Sequence, residues 1–340
     1  MIFIDNQKPS TLFWTWGAYV FLPINIVIGT MLFSNGASIE EVLLSSVIAL
    51  IIMMILAYLA IRLSSAYRMN YSECIRYFIK NKSLSRILII IIPVLNIGWY
   101  AIQTVMFVEL LQVYLKTNTL MFIVLIIGMS YFFAIGVTAY DYLWLKNVGA
   151  IAMFILLFMV AFNIKITNNT IFGIVRPIKI FAYTIQILGT WIFSSVTCVM
   201  DVTAHVYDGK KGFKYIAIST FLINIILTLL GYTMNFGMEK FVSLNILNLI
   251  AILVSIWTTN DSNFYSTMCS LKNIGISKKK VLIFVPMISS MISIFVIKDF
   301  ESFITKWLSI MSWIGIPFGV MWLVLCQDLV QVKMRNFSHF

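Results

Sequence analysis

Charge is the scarcest thing in this sequence. Only 11% of its 340 residues are Asp, Glu, Lys or Arg, against roughly 25% in an ordinary soluble domain. Too little polar surface exists to wet a globule of this size, and a water-soluble fold is excluded. Cysteine is equally uninformative about chemistry: Cys74, Cys198, Cys269 and Cys326 lie in or beside apolar segments and form no Cys-x-x-Cys pair, so they read as small buried thiols. Histidine occurs twice, at His205 and His339, which leaves little for a metal site or a His-based proton relay. No phosphate-binding loop, zinc motif or nucleophile elbow is present, which argues against an ATP-driven pump or a membrane hydrolase. Residues 1–10 lack a basic n-region, and the first apolar run is too long for a signal peptide, so it is expected to stay as a span.

What is abundant is apolar length. Hydrophobic residues make up 61% of the chain, and the mean hydropathy is +0.97. The runs are continuous rather than alternating, which selects helices over a barrel. Ten runs have the length of a crossing, near 12–33, 41–61, 87–115, 119–138, 147–164, 178–200, 213–236, 243–270, 281–297 and 303–327. Basic residues sort the loops. Arg62 to Arg86, Lys210 to Lys214 and Lys272 to Lys280, with Lys8, Lys146, Lys333 and Arg335, place seventeen cations on one side, against seven on the other. The positive-inside rule then puts both termini in the cytoplasm of a multi-pass plasma-membrane protein. The same asymmetry explains the net charge of +11 without nucleic acid.

Ten spans divide into two sets of five, residues 1–170 and 171–330, with 331–340 as a cytoplasmic tail. Five is odd, so the second set is inverted relative to the first, a common transporter design in which the corresponding helices 1 and 6 are discontinuous. Span 1 carries Leu22-Pro23-Ile24-Asn25 and then Gly29; Pro23 removes a backbone donor. Span 6 carries Gly189 to Thr197, with a glycine to loosen the backbone and hydroxyls to replace lost partners. An ordinary kink and a small-residue packing face are the plainer alternatives. Free carbonyls at such breaks can coordinate a desolvated cation.

Span 8 carries the densest polar string, Ser255 to Tyr265. Ser255, Thr258 and Thr259 share one helical face, which can complete a hard-cation site with span 1 carbonyls. Asn260 and Asn263 each offer donor and acceptor, as a heterocyclic amide requires; a capped, solvated helix end is the alternative. In span 3, Trp99 and Gln103 are one turn apart and can stack and hydrogen-bond a flat ring. Glu109 in the same span is either an intramembrane acid or a residue at the outer end facing water. Asp201, closing span 6, reads as a helix-end contact or a gate.

At these residues the chain resembles the nucleobase:cation symporter-1 family, and within it the cytosine permeases. The resemblance spans roughly 12–330 and rests on Gly98-Trp99, the Gly189 to Asp201 segment, Trp257-Thr258-Thr259-Asn260-Asp261 and Pro317-Phe318-Gly319-Val320. It implies an all-α membrane protein of LeuT type, in which spans 1, 2, 6 and 7 rock against spans 3, 4, 8 and 9. It implies a nucleobase stacked between Trp99 and Trp191 and read by Gln103, Ser194 and Asn260, with Asn25 a looser match. It also implies a sodium site at the carbonyls of Phe21 and Ile24 with Ser255, Thr258 and Thr259. The expected activity is cation symport of cytosine or a related base by a monomer, with sodium or a proton as coupling ion and no other cofactor. A hydantoin, thiamine-precursor or amino acid carrier on the same fold, and a non-transporting receptor, are the alternatives. Many relatives have twelve spans, and the two extra helices lie outside the repeat core.

Overall fold

The computed structural model describes residues 7–21, 23–115, 118–163, 173–234 and 246–337. Within them the fold is all-α, with no β-strand beyond one isolated bridge between Gln7 and Val206. The helices are α1 (Thr11–Val20), α2 (Pro23–Ser34), α3 (Ile39–Tyr67), α4 (Tyr71–Phe78), α5 (Lys82–Gln112), α6 (Thr119–Asn163), α7 (Pro177–Trp191), α8 (Thr197–Thr203), α9 (Gly209–Met234), α10 (Ile246–Asn273), α11 (Lys278–Val296) and α12 (Phe300–Phe337). Among the described residues, α3, α5, the segment Thr119–Tyr140 of α6, α9 and α11 are each long and apolar enough to cross a bilayer, and α1 with α2 make a sixth such unit, bent by 48°. Leu22, at the centre of the expected first break, and the ends of spans 5, 7 and 8 at 164, 235–236 and 243–245 lie outside the described residues.

Local chemistry sets the helix ends. Ser38 and Glu41 form a reciprocal capping box at the start of α3, and Asn70 with Glu73 does the same for α4. The Asn81 side chain takes the amides of Ser83 and Leu84, and Pro177 opens α7, where its missing N–H costs nothing. Arg68 ends α3 in the left-handed region at φ 54°. The sidedness of the helices is that of a protein in lipid: α3 exposes Leu44, Ile48, Ile51 and Ile55, while Ala49, Met53, Ala57 and Ala60 on its other face are buried. Exposed apolar surface on this scale marks contact with hydrocarbon.

Two packed groups emerge. In one, α9 lies on α2 and α3, and α3 also holds α7 and α8; in the other, α10 lies between α5 and α6, and α11 packs on both of these. These are the sets expected as a moving bundle (spans 1, 2, 6, 7) and a scaffold (spans 3, 4, 8, 9). They meet where α1 packs on α6 and where α1, α2 and α8 touch α10. Within the first group α2 and α9 approach backbone to backbone: a Cβ on Gly29 would overlap Thr228, and one on Gly231 would overlap Ile26. Small residues permit this approach, which supplies packing where apolar burial between lipid-borne helices contributes little.

Three features differ from the sequence expectation. Spans 4 and 5 form one helical run, α6, rather than two helices with a loop. The run is not straight: a Cβ on Gly136 would overlap the ring of Trp144, whereas a straight helix sets residues eight apart at about 12 Å. The chain therefore bends between them. The basic loop after span 2 contains a helix, α4. Residues 331–337 of the expected tail continue α12.

Candidate functional site

The first break lies between Val20 and Pro23, as Pro23 predicts, and its carbonyls are taken by α10. Ser255 Oγ donates to the Phe21 carbonyl, and Thr258 Oγ1 lies 3.4 Å from the Ala18 carbonyl and 3.0 Å from that of Ser255. Thr259 Oγ1 donates to Ser255 O at 2.9 Å, on its own helix. All three hydroxyl residues are buried, as are Phe21 and Ile24. The structure thus brings the expected span 8 hydroxyls to the span 1 break, through Phe21 and, unforeseen, Ala18. No hydrogen bond joins the Ile24 carbonyl to these hydroxyls among the described residues. Two main-chain carbonyls facing two or three hydroxyls, without a carboxylate, form an all-oxygen set of the hard type that an alkali cation accepts.

The second break replaces helix by turns over 192–196, between α7 and α8. It falls inside the expected Gly189 to Thr197 segment. Its backbone is less open than the first: Ser195 N–H reaches Trp191 O at 2.9 Å, Thr197 N–H reaches Phe193 O at 3.0 Å, and Val199 N–H reaches Ser194 O at 3.2 Å. Ser194 Oγ and Ser195 Oγ bond back to Trp191 O and Ile192 O. Ser194 is therefore buried and turned onto its own segment.

The two breaks are strapped together. Trp191 Nε1 donates to Asn25 Oδ1 at 3.1 Å, and Asn25 Nδ2 donates to Val20 O at 3.1 Å. Asn25 thereby holds a carbonyl at the first break and an indole at the second. Tyr19 completes this corner, with its ring edge-on to Trp191 at 6.3 Å and its hydroxyl 3.5 Å from Cys198 Sγ.

Across the gap, on the scaffold, lies a second polar cluster. Asn260 Nδ2 sits 3.4 Å from both Tyr100 O and Thr104 Oγ1 of α5. Trp99, Gln103, Asn260 and Asn263 are all buried. Gln103 Oε1, Asn260 Oδ1 and Asn263 Nδ2 have no hydrogen-bond partner within the protein. Three unpaired buried amide atoms on the facing helices α5 and α10 are expensive. Among the described residues no ring contact joins Trp99 to Trp191; the first belongs to the α5 side and the second to the Asn25 corner.

Three further contacts carry no short-range sequence signal. Buried Asp261 accepts Trp144 Nε1 at 2.5 Å, fastening α10 to the bend of α6. Buried Asp201 accepts Ser266 Oγ of α10 at 2.5 Å and the Tyr71 amide of α4 at 3.2 Å. His205 Nε2 and Tyr265 OH are 2.8 Å apart. The last two join α8 and the segment after it to α10, and Asp201 also to α4. At the other end, Arg176 grips Glu41 through two 2.7 Å hydrogen bonds, and this carboxylate raises the pKa of the guanidinium. Glu109 is partly exposed.

Neither a protein-family model nor a curated protein matches this sequence. Solved structures do match the fold. A nucleobase-cation-symport-1 family transporter, Mhp1, in a closed conformation with bromovinylhydantoin bound, superposes with a TM-score of 0.72 at 16% identity, covering 98% of this chain and 80% of that one. A mutant manganese transporter of Eremococcus coleocola gives 0.64 at 10% identity over 94% and 82%. The same transporter in complex with an aromatic bis-isothiourea substituted compound gives 0.63 at 11% over 93% and 78%.

Proposed function

We propose that this chain, whose all-α fold is shared with transporters of unrelated cargo, is a member of the nucleobase:cation symporter-1 family that imports cytosine or a related base together with a cation, by alternating access. The observation that carries this reading is the set of buried, unpaired amide atoms on Gln103, Asn260 and Asn263, with Trp99 one helical turn from Gln103 on the same face of α5. A flat heterocyclic amide supplies matching donors and acceptors and a face for the indole to stack on. Such a site penalises any ring lacking the matching group, because its own buried atoms then stay unpaired. Trp191, held by Asn25, is the second aromatic wall, and Ser194 lies at its foot. The manganese cargo of one structural neighbour fits less well: among the described residues no three His, Cys, Asp or Glu side chains come together.

The coupling ion is sodium, held by the carbonyls of Phe21 and Ile24 with Ser255, Thr258 and Thr259, and with the Ala18 carbonyl as an added ligand. For this the hydroxyls of Ser255 and Thr258 turn their protons away from the carbonyls and present lone pairs. Sodium would then bridge bundle and scaffold at the point where they meet, ordering the first break and raising substrate affinity; linkage requires the substrate to raise sodium affinity equally. A proton is the competing coupling ion. Residues 1–170 and 171–330 form the two inverted repeats, and both termini and 331–340 face the cytoplasm of a monomer in the plasma membrane. The chain acts as a carrier, with no catalytic step.

A hydantoin is the second reading, favoured by the ligand of the Mhp1 neighbour. Proteoliposome uptake across a panel of nucleobases, hydantoins, thiamine precursors and amino acids, with and without a sodium gradient, separates these. Cytosine accumulation that needs the gradient supports the proposal. Ligand binding without accumulation identifies a receptor. Trp99→Ala and Asn260→Ala should each abolish uptake at unchanged expression, and normal uptake in both would refute the pocket.

A further inference from the structure

At the basic end of the scaffold, a cleft of about 720 Å³ opens between α4, the start of α5 and the end of α10. Arg76, Lys80, Lys82 and Arg86 line it, with Tyr77 and Asn273, and no Asp or Glu does. All four cations are exposed, and none makes an ion pair with a carboxylate among the described residues. The nearest acid on α4, Glu73, is engaged by the Asn70 amide. Arg76 spends one N–H on the Asn273 carbonyl at 2.7 Å, which fixes the cleft's two walls together. Four uncompensated cations around a concave, partly polar floor attract an anion, and guanidinium and ammonium groups suit phosphate oxygens.

The surroundings say what kind of phosphate. Arg86, Ile90 and Val94 follow one another at four-residue steps, so the rim of the cleft runs directly into one face of α5. That face is bare: Ile87 is 57% exposed and Val94 58%. Cations at the mouth of an apolar, lipid-facing stripe fit a molecule with a phosphate at one end and acyl chains at the other. The positive-inside rule explains why basic residues lie on this side, but not why four of them border one cleft that joins the hydrocarbon-facing surface.

We propose that this cleft is a binding site for an anionic phospholipid, its phosphodiester held by Arg76, Lys80, Lys82 and Arg86 and its acyl chains laid along Ile90 and Val94. The cleft's α4 wall also carries the Tyr71 amide that holds Asp201, so a lipid seated there braces the closed basic end.

The test is native mass spectrometry of the purified full chain in detergent doped with equal phosphatidylglycerol and phosphatidylcholine. One phosphatidylglycerol should be retained in preference to phosphatidylcholine, and inorganic phosphate in excess should not displace it. Lys80→Gln with Lys82→Gln and Arg86→Gln should weaken retention about a hundredfold. The control Lys210→Gln with Lys279→Gln and Lys280→Gln removes the same charge outside the cleft and should change it less than about threefold. Should the first triple variant not purify, Arg86→Gln alone should still weaken retention by about fivefold. Equal retention of both lipids, equal loss in both triple variants, or displacement by phosphate alone would each overturn the proposal.

Discussion

The two broken helices occupy corresponding places in the chain, the first and sixth crossings, yet their backbones are satisfied in opposite ways. At the first, a proline and a 48° bend turn the carbonyls of Ala18 and Phe21 outward to hydroxyls of α10. At the second, where no proline stands, turn-type bonds persist through 192–196 and the serine hydroxyls fold back on their own segment. Proline removes a donor and clashes with the preceding turn, so this break does not close with its own backbone: Asn25 takes the Val20 carbonyl and α10 takes those of Ala18 and Phe21. Glycine and serine only loosen the helix, and the chain heals the gap with its own groups. The first break therefore turns carbonyl acceptors toward α10, while the second holds an indole against Asn25. Asn25 couples the two.

The comparison breaks most severely at its anchor. Gly29→Val or Gly231→Val drives a side chain into the facing backbone where α2, the segment after the first break, lies on α9. Each should cost more than about 3 kcal/mol, because backbone cannot yield as a side chain does. Fluorescence-detected size exclusion should show little monodisperse protein, and wild-type recovery would mean that this contact is not close. Next in size is Asn25→Leu, which cuts the strap between the breaks and leaves the Trp191 N–H buried without a partner. Loss of one such bond is worth about 1–3 kcal/mol, so the uptake KM should rise roughly tenfold to a hundredfold at normal expression; an unchanged KM would uncouple the two breaks.

A smaller effect sharpens the chemical contrast. Ser255→Ala combined with Thr258→Val removes the hydroxyls facing the first break, and the sodium concentration for half-maximal uptake should rise about tenfold. If sodium dependence stays as in the wild type, the ion binds elsewhere or the coupling ion is a proton. The smallest change is expected from Ser195→Ala at the second break, where the hydroxyl serves only its own segment; uptake should stay within about twofold. A large loss there would show that the second break is as exposed to ligand as the first.

How much of this was legible beforehand follows from the range of each interaction. Pro23 and the Ser255, Thr258, Thr259 face announce themselves within one or two turns; the break lies at Pro23, and Ser255 and Thr258 reach its carbonyls while Thr259 bonds within its own helix. The amphipathic helix α4 was passed over because a search for long apolar runs does not see eight-residue helices, although the Asn70 to Glu73 box that caps it stands in the sequence. Spans 4 and 5, expected as two helices, are one run, since nothing local distinguishes a bent helix from two helices joined by a loop. The partners of Asp201, Asp261 and Glu41 lie far off in the chain: Trp144 is 117 residues from Asp261, and Arg176 is 135 from Glu41.

Composition and pattern alone determined that this chain lives in lipid, that it is helical, and roughly where its crossings and first break fall, because each follows from the cost of placing backbone and charge in hydrocarbon. Only the tertiary structure decided which carbonyls meet which hydroxyls, that Asn25 joins the two breaks, and that the amides of α5 and α10 are left unpaired together. Those outcomes depend on how helices distant in sequence are rotated and spaced against one another, and short-range periodicity carries no record of that.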